Sequence, residues 1–204
     1  MSVSLARTER LGLVELIRSL GPNAPTLCQG WRTADLLAHL VLRERKPVAA
    51  LGILVPPLSA RTERLTIELA RDFEANIRLF ESGPPAWNPM RYLDAMVNGS
   101  EMLIHHEDVL RAQSGWKARV LPAPAQEEVR RILRGAAQLM TRGAQVKVRP
   151  DPAGTLTPTT GEVVIRGDVV DILLRVAGRR ENVQVTVLGA EADLALFETS
   201  RLGI

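Results

Sequence analysis

Glu101-Met102-Leu103-Ile104-His105-His106-Glu107-Asp108 holds two of the three histidines in this chain of 204 residues. The spacing of its apolar residues predicts a helix, and on a helix Glu101 and His105 stack a carboxylate and an imidazole one turn apart on one face. Turning each residue by about 100° places Asp94, Asn98, Glu101, His105 and Asp108 within roughly 80° of arc. Leu103, Ile104 and Leu110 occupy other parts of the wheel. His106 lies about 100° from His105, so the two imidazoles are not expected to serve one mononuclear site. His105 is the ligand candidate and His106 its neighbour.

Two accounts of the stripe are open. It can be a solvated face, on which Glu101 and His105 form a pair worth about 0.2–0.5 kcal/mol. Alternatively it faces inward and meets the third histidine, His39, which stands among Leu36, Leu37, Leu40 and Val41 at or beside the buried face of an earlier helix. A lone histidine in such a place is usually a hydrogen-bonded core residue. A buried acidic stripe opposite it would nevertheless be costly without a cation or an equivalent partner. His39, Glu101 and His105 would then give three ligands and an open fourth position, the pattern of a catalytic rather than a structural zinc site.

The neighbours of these residues carry secondary readings. Asp108, one turn past His105, either accepts a hydrogen bond from it or faces solvent. Arg43, one turn beyond His39, either meets an anionic substrate or thiol, or forms an ordinary ion pair. Trp31 either walls a cleft or packs the start of the helix. Cys28 precedes that helix, whose N-terminus would favour a thiolate, but a packed and inert loop cysteine is the better reading.

Working outward, apolar spacing predicts a helix over 5–20, closed by Gly21-Pro22, and a second from Thr33, read as its N-cap, towards Arg45. Pro47 restarts or kinks it, with an apolar continuation to Leu54 before the Pro56-Pro57 break. A third helix runs from Ser59 through Phe80, with Leu65, Leu69, Phe73, Ile77 and Phe80 inward. Asn88-Pro89 starts the histidine helix. A fifth spans Pro124 to about Met140, with Val129, Ile132, Leu133 and Leu139 inside. The pattern then changes to short β-branched runs at 146–149, 163–166 and 183–187, with helices over 168–177 and 190–200 between and after them. The division expected is a helical domain over 1–142 and a small α+β domain over 143–204.

Composition narrows the function classes. A hydrophobic fraction of 46% and a charged fraction of 24% suit a globular protein with a real core. Basic residues are interleaved with acids, as in Glu127-Glu128-Val129-Arg130-Arg131, and aromatics make up 3%, which argues against nucleic-acid binding. No apolar run is long enough to cross a bilayer, and no signal peptide is read. A single cysteine excludes an internal disulfide. The expectation is a cytoplasmic protein with a small-molecule partner and neither nucleic acid nor membrane.

The segment Leu27-Cys28-Gln29-Gly30-Trp31-Arg32-Thr33-Ala34-Asp35-Leu36-Leu37-Ala38-His39-Leu40, followed by Glu101-x-x-x-His105-x-x-Asp108, resembles the DinB-like metal-binding family, in the branch related to mycothiol-dependent maleylpyruvate isomerase. Gly161-Glu162-Val163-Val164-Ile165-Arg166-Gly167-Asp168, with Ala177-Gly178-Arg179, looks like that branch's sterol-carrier-like C-terminal domain. The resemblance implies a mainly α fold: a DinB-like four-helix bundle with a small α+β domain after it. It also implies that His39, Glu101 and His105 bind a divalent metal, usually Zn2+. The activity implied is that of an isomerase or S-transferase, in which a low-molecular-weight thiol such as mycothiol is held as a metal-bound thiolate. A non-catalytic metal or small-ligand binding module of the same fold is the alternative, and a metal-free oligomeric or regulatory helical protein is a third.

Overall fold

The computed structural model describes residues 4–46, 59–88 and 95–203. The expected continuation from Pro47 to Leu54, the Pro56-Pro57 break, the Pro89 start of the histidine helix and Asp94 all lie outside these described residues. Contacts divide the chain into two compact units, 1–118 and 119–204.

The first unit is helical. It contains α1 (Leu5–Leu20), α2 (Thr33–Arg45), α3 (Ser59–Ala70), α4 (Phe73–Glu81) and α5 (Ala95–Leu110). Its core joins Leu13, Val14 and Ile17 of α1, Leu36, Leu37, Leu40 and Val41 of α2, Ile77 and Phe80 of α4, and Met102 and Val109 of α5. Burying each of these aliphatic side chains stabilises the fold by about 1.5–3 kcal/mol, so packing rather than propensity holds the helices in place.

Two sequence expectations are corrected here. The helix expected over Ser59 to Phe80 is two helices, because Asp72 takes a non-helical conformation and its carboxylate accepts the Ala75 N–H at 3.0 Å, capping α4. Thr33 is the first residue of α2 rather than its cap. Arg32 is the cap, its N–H donates to the Asp35 carboxylate at 2.9 Å, and the Thr33 hydroxyl bonds back to the Gly21 carbonyl instead.

The second unit contains α6 (Ala123–Met140), β1 (Lys147–Asp151), β2 (Glu162–Gly167), α7 (Val169–Val176), β3 (Val185–Leu188) and α8 (Glu191–Thr199). The sheet order is β1-β2-β3, with β1 parallel and β3 antiparallel to the central strand. Val163, Val164 and Ile165 of β2 and Ile172, Leu173 and Leu174 of α7 are buried. Helix α6 packs on α7 and β1, so this unit begins before residue 142, where the sequence reading placed the boundary. The reason lies in the inward face of α6. Val129, Ile132, Leu133, Ala137 and Met140 cover this sheet-and-helix layer, while Leu139, expected inside, is 52% exposed. Asp168 caps α7 through the Val170 N–H at 2.9 Å, and Gly178 closes it at φ +91°, where a Cβ would stand 2.7 Å from the Leu202 carbonyl oxygen.

The structure is thus mainly helical with a small three-stranded sheet, as the sequence pattern indicated. No helix among the described residues is long and apolar enough to cross a membrane.

Candidate metal centre

The stripe on α5 is not a solvated face. The side chains of Glu101, His105 and Asp108 keep 11%, 12% and 0% of their exposure. They point towards α2 and the loop that precedes it, and His39 meets them there with its ring centroid 6.0 Å from that of His105. One donor atom each from His39, Glu101 and His105 lies within 4.8 Å of the other two. Spacing on one helix picked out Glu101 and His105, and the structure brings His39 beside them.

Electrostatics prepare His39 as a neutral donor. Burial comes first, then the proximity of His105 and Arg43, and together they lower its pKa from 6.5 to about 3. A neutral imidazole is the form that binds a metal. Trp31 lies against it, with ring centroids 4.8 Å apart and planes tilted by 50°, so the indole fixes the imidazole's position. Arg43 reaches the Glu101 carboxylate in an ion pair. Burial lowers the Arg43 pKa from 12.5 to about 10, against the opposing pull of Glu44. Arg43 therefore supplies the positive charge that this buried carboxylate requires. Of the alternatives for Arg43 the ion pair is the one present, with Glu101 as its partner, and Trp31 packs against His39.

Asp108 stands beside His105. Its Oδ2 is 3.1 Å from His105 Nδ1, while His105 Nε2 is 4.0 Å from Glu101 Oε1. With the proton on Nδ1, Asp108 holds the ring so that the Nε2 lone pair faces Glu101 and His39, a common arrangement behind metal-bound imidazoles. His106 is turned away, as the wheel requires. Its Nδ1 is 2.8 Å from Glu9 Oε2 of α1, and Gly12 leaves room for its ring, since a Cβ there would stand 2.7 Å from His106 Cε1.

Sequence reasoning undervalued Cys28. Its Sγ lies 3.3 Å from Asp108 Oδ2 and 3.9 Å from His105 Nδ1. The loop that carries it is pinned to α5: Leu27 N–H donates to the Asp108 carbonyl at 2.9 Å, and the Gln113 side chain donates to the Pro25 carbonyl at 3.0 Å. Within the loop the Cys28 N–H donates to the Thr26 hydroxyl at 3.1 Å, which in turn donates to the Trp31 carbonyl at 2.9 Å. Cys28, His105 and Asp108 form a second group of donor atoms within 4.8 Å. Nothing local in the sequence signals it, because Cys28 and Asp108 are 80 positions apart.

The residues fit a divalent ion. Two imidazoles and a carboxylate are the donor set of many catalytic zinc sites, and His39 is held in its metal-binding form. No protein-family model matches the chain, and neither does any curated protein. Among solved structures, the crystal structure of the mycothiol-dependent maleylpyruvate isomerase is similar over 90% of both chains, with a TM-score of 0.50 and 18% sequence identity. At that identity the likeness is one of fold: the chain folds like this isomerase.

Proposed function

We propose that this protein binds a divalent metal, Zn2+ by its donor set, through His39, Glu101 and His105, and that it is an enzyme acting with a low-molecular-weight thiol, of isomerase or S-transferase type. The convergence of three donors from α2 and α5 within 4.8 Å is the observation that carries this reading. The fold shared with a mycothiol-dependent isomerase supports the thiol, and mycothiol is the first one to test. On this reading the chain is a DinB-like protein, its second unit is the sterol-carrier-like domain of that family, and it works in the cytoplasm on a small molecule.

A bound zinc ion would supply Lewis acidity that lowers the pKa of a thiol at the open position. The chain's own residues do the rest. Asp108 sets the orientation of His105 through Nδ1, and Trp31 sets that of His39. With an ion meeting the charge of Glu101, the Arg43 guanidinium would be available to an anionic group of substrate or thiol. Burial of the stripe excludes water from the carboxylates and strengthens each of these interactions.

Elemental analysis of untagged protein, followed by thiol-dependent turnover of a model electrophile such as maleylpyruvate, tests the reading. Stoichiometric zinc and turnover that requires a thiol are expected. His105→Ala should lose the metal, and His39→Ala should lower turnover to background and weaken zinc binding by at least tenfold. A parent that stays metal-free after zinc is offered overturns the proposal. Zinc without any thiol-dependent turnover leaves the non-catalytic binding module.

A further inference from the structure

We infer that Cys28, His105 and Asp108 form a second metal position, thiolate-containing and alternative to the first, which takes a thiophilic divalent ion. It shares His105 with the site proposed above but does not depend on that site's being catalytic.

The distances carry the inference. An ion bound tetrahedrally at the usual zinc lengths holds nitrogen and oxygen donors about 3.3 Å apart, and sulfur about 3.6 Å from either. The observed edges are 3.1 Å for His105 Nδ1 to Asp108 Oδ2, 3.3 Å for Cys28 Sγ to Asp108 Oδ2, and 3.9 Å for Cys28 Sγ to His105 Nδ1. Each is within about 0.3 Å of the tetrahedral value, so an ion enters with little movement of protein atoms. In the other group His105 Nε2 and Glu101 Oε1 are 4.0 Å apart, and those side chains must close in. The loop bearing Cys28 is fixed to α5 by the Leu27 and Gln113 hydrogen bonds, which places the sulfur before any ion arrives. Asp108 is completely buried, and a cation between it and the sulfur would meet its charge where solvent does not reach.

The two positions select opposite forms of His105. The first needs the Nε2 lone pair, with the Nδ1 proton donated to Asp108. The second needs the Nδ1 lone pair, with the proton on Nε2. One neutral imidazole offers one lone pair, so occupancy of one position excludes the other. Binding at the second also releases the Cys28 thiol proton to solvent, since the thiolate is the ligand: M2+ and RSH give the metal thiolate and H+.

Cobalt(II) is the probe, because a cysteine thiolate bound to it gives an intense near-ultraviolet charge-transfer band that nitrogen and oxygen ligands do not. Cys28 is the chain's only cysteine, so the band has one source. The titration is made anaerobically on the full chain carrying His39→Ala, which removes the first position, and in parallel on Glu101→Gln, which removes it by a different route should His39→Ala fail to fold. We expect the band to grow to one equivalent of cobalt in whichever variant is folded by circular dichroism. Adding Cys28→Ser should abolish the band and weaken cobalt binding by at least tenfold. A folded variant that binds no cobalt, or binds it without the band, overturns the inference. Failure of the functional reading is separate: it would show as no thiol-dependent turnover by the parent, while the band in the variants stayed.

Discussion

The two units of this chain both bury charge, but they differ in what the buried groups meet. In the second, the central layer of Val163, Val164, Ile165, Leu173 and Phe197 is apolar, and its acids sit where cations and backbone donors can hold them. Glu162 is held by Lys147 at 2.8 Å and Arg149 at 3.0 Å. For Asp151, burial would push the pKa up, but the Leu156 and Thr155 N–H groups and Arg166 outweigh it and hold the pKa below the usual value. The first unit carries its buried charge largely as side-chain pairs within the helical assembly. Glu9 meets His106, Glu107 meets Arg111, and Glu44 meets Arg10. Beside these pairs, among the described residues, metal-type donors converge around His105 in two overlapping groups. Paired charges explain themselves as structure, and the convergence of donors around His105 is the feature of the first unit on which the proposed function rests.

The comparison can be broken most directly at the buried Glu107–Arg111 pair, whose side chains are 1% and 2% exposed. Glu107→Ala leaves an uncompensated guanidinium and should cost about 3–5 kcal/mol by urea denaturation. Ile165→Ala, in the apolar layer of the other unit, should cost about 2–5 kcal/mol through the cavity it leaves. A Glu107→Ala protein of parental stability would mean that the charges of the first unit are solvated after all. His39→Leu should cost metal-free protein less than about 1.5 kcal/mol at neutral pH, because an apolar side chain replaces a desolvated imidazole, while metal binding at that position is lost.

Acid sharpens the same contrast. His39 has its folded pKa lowered to about 3, so the native state binds fewer protons than the unfolded chain between there and 6.5. Stability from this residue is full above pH 6.5 and falls as the pH drops from 6.5 towards 3. In metal-free protein His39→Leu should flatten that stretch of the unfolding profile. Glu162, brought from 4.5 to about 2 by Lys147 first, then Thr159 and Arg149, acts lower. Its contribution is full above pH 4.5 and is lost as the pH falls towards 2. Glu162→Gln should remove only this last and smallest step, read from thermal melts across the same pH range.

Much of this was legible in the sequence because it is written in local periodicity. The histidine helix, the helix expected over 168–177 and the three β-branched runs depend on residues within a turn or two of one another. The same short-range logic separated His105 from His106. What escaped it depends on contacts made far along the chain. The inward face of α6 is plain in the sequence, but which layer it covers is not, so the unit boundary was placed too late. The helix expected over Ser59 to Phe80 breaks at Asp72, whose short carboxylate caps the next helix. Cys28 joined the donors only through a loop pinned 80 positions away.

Gly12 gives the first unit a built-in gauge. Because no side chain occupies position 12, the His106 ring packs directly on the α1 backbone, and its Nδ1 reaches Glu9 one turn earlier. His106 is also the residue next to His105, so any rotation of α5 that brings His105 towards an ion must move the neighbouring ring against α1. Its imidazole resonances should therefore register loading of the first proposed metal position, whose side chains must close in, without touching the ion, and do so with the native sequence and no added label.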